Sequence, residues 1–473
     1  MGGGLLQLKF LGKESEFFVG NPQISFFKSV FKSYSNYSKN LMDVYFEAPL
    51  DFNKDTYANL PVHADLIQDM YLNLNIKVNV SDTFDLTISG TTFSSTKNAV
   101  LYEYNSSGTQ DWYLYNYIYT LTNTNITNLK ITEIGSDINL YDSGSKKLDL
   151  TDVTTTRLSC TYDTVNPFYI NVRFLKEDLT KFIKEITFEI DEYIIEKHDT
   201  NWLLMYNNLF NNDETLHKIN NELKFITPKM FNRKIQLYIP LRFFFTKHTQ
   251  SSLPISALYR SDVNIKIKTN SQSDVFLSNK IISSVEINKA VLSANYIHLD
   301  VDERNYFLKN KHHLLIEQLQ YQTNEIQNGI YDNIELTFSY LSKYIIWKLP
   351  YKYILDKARI VFNNNDLFYE QTGEYFHLLQ PFECNLGNAD TLTRMEENQD
   401  PNGTYYVYSF CLHPSSRQPS GLCNFSRIDD KFLYLQTEYI KNDLNINKKI
   451  PVDVYSVNFN FLHVEKGKCK LEF

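Results

Sequence analysis

The residues able to do chemistry are few and scattered. Glu189, Asp191 and Glu192 place carboxylates within one short stretch. Such a group could serve glycoside hydrolysis, where one acid protonates the leaving oxygen and a second, ~5–9.5 Å away, acts as nucleophile or base. Ile186, Phe188 and Ile190 alternate with Thr187, Glu189 and Asp191, however, so the same acids read equally as the solvated face of a half-buried strand. His63 and Asp65 are ligand types, but no third ligand stands near them, and turn residues are the competing reading. Asp300 and Glu303 have the spacing of a helix capping box, which predicts a short helix running to about Lys309. His413, Ser415, Ser416 and Arg417 lie between prolines as loop polars, without a base and nucleophile in partnership. Five cysteines, Cys160, Cys384, Cys411, Cys423 and Cys469, form no C-x-x-C pair, which argues against a zinc ribbon or redox pair and for buried free thiols. No phosphate loop, dinucleotide fingerprint, nucleophile elbow or H-E-x-x-H pattern occurs. Neither a catalytic residue nor a cofactor or metal is expected.

The elements that would have to position these residues are mostly strands. Tyr406, Tyr408 and Phe410 alternate with Val407, Ser409 and Cys411, the period of two that a pleat imposes. Pro414 and Pro419 then remove ladder donors, Ser420-Gly421 allows a tight return, and a second strand is expected from Leu422. Leu237 to Phe245 reads as a strand that Pro240 confines to an edge or bulge. Trp202 to Phe210 suits a short helix over a sheet, and Tyr455, Val457, Phe459 and Phe461 close the chain as a last strand. Between Asn79 and Asp163 the composition turns to Asn, Thr, Ser and Tyr, which predicts a decorated, partly stranded excursion, with a strand around Ile126 to Ile134.

At 473 residues the chain has room for two to four domains. A net charge of −8 disfavours general nucleic-acid binding. The start lacks a signal peptide's basic and apolar segments, and no apolar run reaches the ~18–20 residues that span a bilayer, so a soluble protein is expected. These observations alone reach a large, predominantly β protein of binding or structural type.

Wording at several places goes further. Gly20-Asn21-Pro22-Gln23, followed by Phe26-Phe27-Lys28, then Pro240 in its strand, then Asp300, Glu303 and Arg304, then Pro419-Ser420-Gly421 and Asn424-Phe425-Ser426-Arg427, occur in one order along the chain. This series resembles the major capsid proteins of the nucleocytoplasmic large DNA viruses. The end departs from that pattern: Lys466-Gly467-Lys468-Cys469-Lys470 stands where family members carry a glycine- and methionine-rich tail.

The resemblance implies an all-β fold of two consecutive eight-stranded antiparallel jelly-roll barrels. It divides the chain into an N-terminal arm (1–24), a first jelly roll (25–300) with a polar insertion at about 79–183, a helical connection (301–311) and a second jelly roll (312–473). It implies homotrimeric, pseudo-hexagonal capsomers tiling an icosahedral virion shell and assembled in the host cytoplasm. Neighbouring capsomers, minor capsid proteins and an internal viral membrane are the implied partners, with no specific nucleic acid. Glycans could enter as a modification at the sequons of Asn36, Asn79, Asn105, Asn125, Asn402 and Asn424. Two other classes remain in view. One is a glycan-processing hydrolase using Glu189 and Asp191; the other is a carbohydrate-binding lectin using Trp112 and Tyr113.

Overall fold

The computed structural model describes residues 19–29, 31–80, 85–88, 91–94, 130–133, 136–139, 157–161, 167–171, 177–210, 223–226, 233–276, 282–350, 353–386, 404–439 and 449–473. Its first half is built by β1 (Tyr37–Tyr45), β2 (Asp55–Asn59), β3 (Leu66–Val80), β4 (Ile183–Ile190), β5 (Tyr193–Asp199), β6 (Lys234–Pro240), β7 (Val263–Thr269) and β8 (Ile282–Leu299). They form two four-stranded antiparallel sheets, ordered β1-β8-β3-β6 and β5-β4-β7-β2. The second half follows with β9 (His312–Gln327), β10 (Asp332–Glu335), β11 (Leu341–Leu349), β12 (Tyr353–Phe362), β13 (Asn365–Asp366), β14 (Thr404–Ser409), β15 (Lys431–Tyr439) and β16 (Lys449–Glu465). Its sheets run β9-β16-β11-β14 and β10-β15-β12-β13. Counted from the start of each set, the two halves share one permutation, 1-8-3-6 facing 2-7-4-5, the wiring of a jelly roll.

Two details of the expected barrels change. Each is a pair of facing open sheets, not a closed cylinder. The second half also carries extra short strands, Cys423–Asn424 on β11, Gln371–Thr372 on β12 and β17 (Lys468–Leu471) on β16, which bring its sheets to six and five strands. The lysine-rich tail is thus a packed strand. Cys469 and Leu471 lie against the first core while Lys468 and Lys470 stay exposed.

Period-two patterning supplies the cores. On β3, Met70, Leu72, Leu74, Ile76 and Val78 are all buried and point between the sheets, in one cluster with Ile186, Phe188 and Ile190 of β4 and Ile265 and Ile267 of β7. Burying each such side chain contributes ~1.5–3 kcal/mol. A second cluster around Ile345, Trp347, Ile360, Tyr406 and Val454 fills the second half.

The helix α1 (Thr200–Leu209) joins the halves. Asp199 caps it by accepting from the Trp202 amide at 2.9 Å. Trp202, Met205 and Leu209 share one helical face and land on the outer face of the second half's sheet, among Tyr344, Ile346, Tyr405, Val407, Tyr455 and Val457. The alternation on β14 serves both sides, since Tyr405 and Val407 meet α1 while Tyr406, Tyr408 and Phe410 face the second core.

Several expected elements differ. The sequence after Gly20-Asn21-Pro22-Gln23, Ile24 to Lys28, reads as a turn leading into a strand, but the described chain there turns at Phe26-Phe27 and pairs with no described strand. The strand from Leu237 stops at Pro240, on the edge strand β6; the following phenylalanines leave the ladder to pack Phe243, Phe244 and Phe245 around Phe188, centroids 5.6, 6.1 and 5.2 Å away. From Leu422 only Cys423–Asn424 pairs before a single 3₁₀ turn, and the long strand begins at Lys431. In the 79–183 excursion six described strands form hairpins, Asp85–Ile88 with Thr91–Ser94, Lys130–Glu133 with Ser136–Asn139 and Arg157–Thr161 with Pro167–Asn171, while Glu177–Asp178 pairs with Phe225–Ile226. Residues 1–18, Trp112, Tyr113, Asn105, Asn125 and Asn402 lie outside the described residues.

Candidate functional site

Most of the singled-out residues fall on the seam where the two jelly rolls meet or on the loops that cross it. At the end of β8 the chain enters α2 (Val301–Lys309), with Asp300 as N-cap accepting from the Val301 amide at 2.8 Å. Glu303 is half-buried in the first turn. Arg304 reaches back to Asp65, its Nε donating to Oδ1 at 2.7 Å and its second guanidinium nitrogen to Oδ2 at 3.0 Å. Asp65 Oδ2 also accepts from the Leu299 amide at 2.9 Å. Asp65 sits in the bend before β3, as a turn residue would, and its side chain is also a buried clamp holding the last residue of β8 and the helix in one arrangement, the bidentate geometry for which guanidinium suits carboxylate.

A charged cluster lies deeper in the seam. Glu317 of β9 accepts from Lys247 at 3.0 Å and from Lys343 of β11. Lys247 comes from the first half, on the helical turn Phe244–Lys247, and its Nζ is also 3.9 Å from Glu196 of β5. Glu196 in turn contacts His198 Nε2 at 2.8 Å and accepts from the Phe244 amide at 2.8 Å. Burial alone would raise the Glu317 carboxyl, but the ammonium groups of Lys247 and Lys343 outweigh it and hold it down at about 2. Burial would likewise lower Lys247, and Glu317 and Glu196 reverse this, leaving it above its ordinary value. Lys343 also donates to the Ser416 carbonyl at 3.0 Å. Nothing in the sequence flagged this cluster, because Glu317, Lys343 and Lys247 lie on three separate elements far apart in the chain.

The loop from Cys411 to Arg427 is fastened from both ends. Gly421 has φ 147°, and a Cβ there would stand 2.6 Å from the Phe410 carbonyl oxygen. Only glycine fits that approach. Ser420 Oγ accepts from the His413 amide at 2.9 Å, and Pro419 lies exposed beside it. Asn424 Oδ1 accepts from the Ser426 amide at 3.1 Å, Ser426 Oγ from the Tyr340 amide at 2.8 Å, and Phe425 is buried in the second core. Arg427 is exposed, while Arg417 crosses to Gln250 of the first half at 3.1 Å. At the N-terminal end, Gly20, Asn21, Pro22, Gln23, Phe26, Phe27 and Lys28 are all exposed, Phe26 at 91% and Phe27 at 101%.

The carboxylates that suggested hydrolysis are occupied structurally. Glu189 is buried, not solvated, and pairs with Lys266 at 2.6 Å. Asp191 accepts from Ser261 Oγ at 2.7 Å and the Asp262 amide at 2.9 Å, tying the β4–β5 turn to the segment that leads into β7. Among the described residues no group of three or more His, Cys, Asp or Glu is placed to hold a metal. No helix among them is long and apolar enough to cross a membrane.

Comparison with known proteins decides between the classes. Residues 147–301 match the family model described as major capsid protein N-terminus, and residues 351–469 match that of the large eukaryotic DNA virus major capsid protein. The chain belongs to this capsid protein family. Its full length aligns with the full length of the major capsid proteins of Pyramimonas orientalis virus, at 25% identity, and Paramecium bursaria Chlorella virus 1, at 23%. Its fold is that of the PBCV-1 VP54 structure, at a TM-score of 0.67 and 19% identity over 95% of this chain and 100% of that one. The Faustovirus major capsid protein follows at 0.60 and 12%, over 93% of each. These relatives are structural proteins of the virion, not enzymes. What this capsid protein offers is accordingly a rigid two-lobed body rather than a reactive centre.

Proposed function

We propose that three copies of this capsid protein close into a pseudo-hexagonal capsomer, and that such capsomers tile an icosahedral shell. The repeated strand permutation carries this reading. One chain holds two like-wired lobes fixed side by side by α1 and the buried ion pairs, so three chains around a threefold axis present six lobes. Contacts within such a ring are heterologous, one surface of a copy meeting a different surface of the next. We assign residues 25–300 and 312–473 to the lobes and 301–311 to their connection, with 1–24 as an arm on the shell's inner side. Exposed Ile24 at the end of the arm, with exposed Phe26, Phe27 and Phe31 at the start of the lobe that follows, supports a contact there, because such a run needs a foreign surface. Neighbouring capsomers, minor capsid proteins and an internal membrane are the surfaces proposed, with assembly in the host cytoplasm. Native mass measurement of the purified chain tests the reading: a stable trimer is expected, and a monomer at micromolar concentration overturns it.

A further inference from the structure

Outside the seam, one pair of side chains has an arrangement the shell role does not use. β9 and β16 run antiparallel with His313 directly opposite His463. Both project away from the core that takes Leu314, Leu462 and Val464. Their ring centroids are 4.5 Å apart at 82°, and Nδ1 of one contacts Nδ1 of the other. On its far side His463 Nε2 lies 2.6 Å from Glu472 Oε2, just beyond β17. Lys470 of β17 is the register partner of His463, and the neighbouring Lys311 is taken up by Glu465 at 2.8 Å.

We propose that His313 and His463 form a surface site for a late first-row divalent cation such as Ni²⁺, Cu²⁺ or Zn²⁺. Two imidazole nitrogens that face each other across a strand pair are placed so that one metal ion between them could bind both. Imidazole suits these metals and binds them as the neutral ring. The Glu472 carboxylate 2.6 Å from Nε2 stands where a ligating histidine commonly carries an outer-shell partner, with Nδ1 turned toward His313. His313 is exposed, so an ion can reach its ring from solvent. At metal–nitrogen bonds of ~2.0–2.1 Å the two ligating nitrogens sit about 3 Å apart, so the rings need only part slightly. With two protein ligands the remaining positions stay open to water or to a donor from a neighbouring molecule.

The test uses the full chain, its His313→Gln, His463→Gln and Glu472→Gln variants, and Ni²⁺ and Zn²⁺ as probes in isothermal titration. One site per chain is expected, weakened at least about tenfold by either histidine change and about 10–100-fold by E472Q. Unchanged affinity and stoichiometry in the two histidine variants overturn the proposal, and so does absence of binding at millimolar metal. Because the substitutions could disturb the sheet, Cu²⁺ electron paramagnetic resonance on the unaltered chain provides an independent reading. Two equatorial imidazole nitrogens support the site; none or one excludes it.

Discussion

Trp202, carried by a helix of the first jelly roll, stacks on Tyr455 in the second, with centroids 6.0 Å apart and planes inclined by 29°. Tyr455 Oη also donates to Asp199 at 2.8 Å, the residue that caps the same helix. The contact that orders the helix therefore also fixes the lobes to each other.

Trp202→Ala should cost about 3–5 kcal/mol, the range for deleting a buried aromatic. In a double-mutant cycle with Tyr455→Leu, the coupling should be about 0.5–1.5 kcal/mol. Urea unfolding followed separately in each half checks this. Additive effects, with both halves still unfolding together, would show that the stack does not join them.

Glu317→Gln should destabilise the chain by about 3–5 kcal/mol at neutral pH, because it removes the carboxylate that Lys343 and Lys247 share and leaves Lys247 only the more distant Glu196, 3.9 Å away. The pH dependence has a definite sign. The folded carboxyl titrates at about 2 against an ordinary 4.5, so its stabilisation is complete above about pH 4.5 and is lost as pH falls toward 2. That is up to about 3 kcal/mol for the unaltered chain and none for the variant. Thermal melts between pH 5 and 2 measure it; parallel curves for the two proteins would contradict the assignment.

Gly421→Ala should weaken the fold by at least about 1–3 kcal/mol through the strained backbone conformation and the 2.6 Å approach to the Phe410 carbonyl. The loop should loosen first. Hydrogen exchange at the His413 amide, which Ser420 Oγ holds, should rise before exchange on β11. Equal protection in both proteins would count against that order.

Deleting residues 2–20 should leave the melting temperature within a few degrees of the full chain and still give trimers, yet impair shell assembly. Particles with a complete inner lattice, seen by electron microscopy of co-expressed components, would remove the role assigned to the arm.

Much of the fold was legible because burial and strand period agree. Leu72, Leu74 and Ile76 announce β3, and Asp300 announces the helix that begins at Val301. Pro240 marked an edge strand correctly, but the aromatic run after it looked equally like strand. Its packing around Phe188 is a tertiary effect that local pattern does not encode. The partners of Asp65 and Glu189 were missed for one reason: a lone acid in the sequence gives no sign of the cation that will cover it, and Arg304 and Lys266 lie far along the chain. The loop glycine and its neighbours were recognisable as wording before their geometry gave the cause.

The pairing of β1 with β8 joins Tyr37 to Leu299, so the first lobe cannot close while a ribosome is still making its middle. Closure by such distant segments is slow, since the loop entropy is lost before any contact rewards it. Even then Trp202, Met205 and Leu209 remain bare, because Tyr455 and Val457, which cover them, belong to the last strand of the second lobe. A newborn chain halted near residue 310 should accordingly bind apolar dyes and holding chaperones, and the finished one should not. The helix that makes the mature body rigid is thus the feature that leaves it longest exposed to aggregation during synthesis.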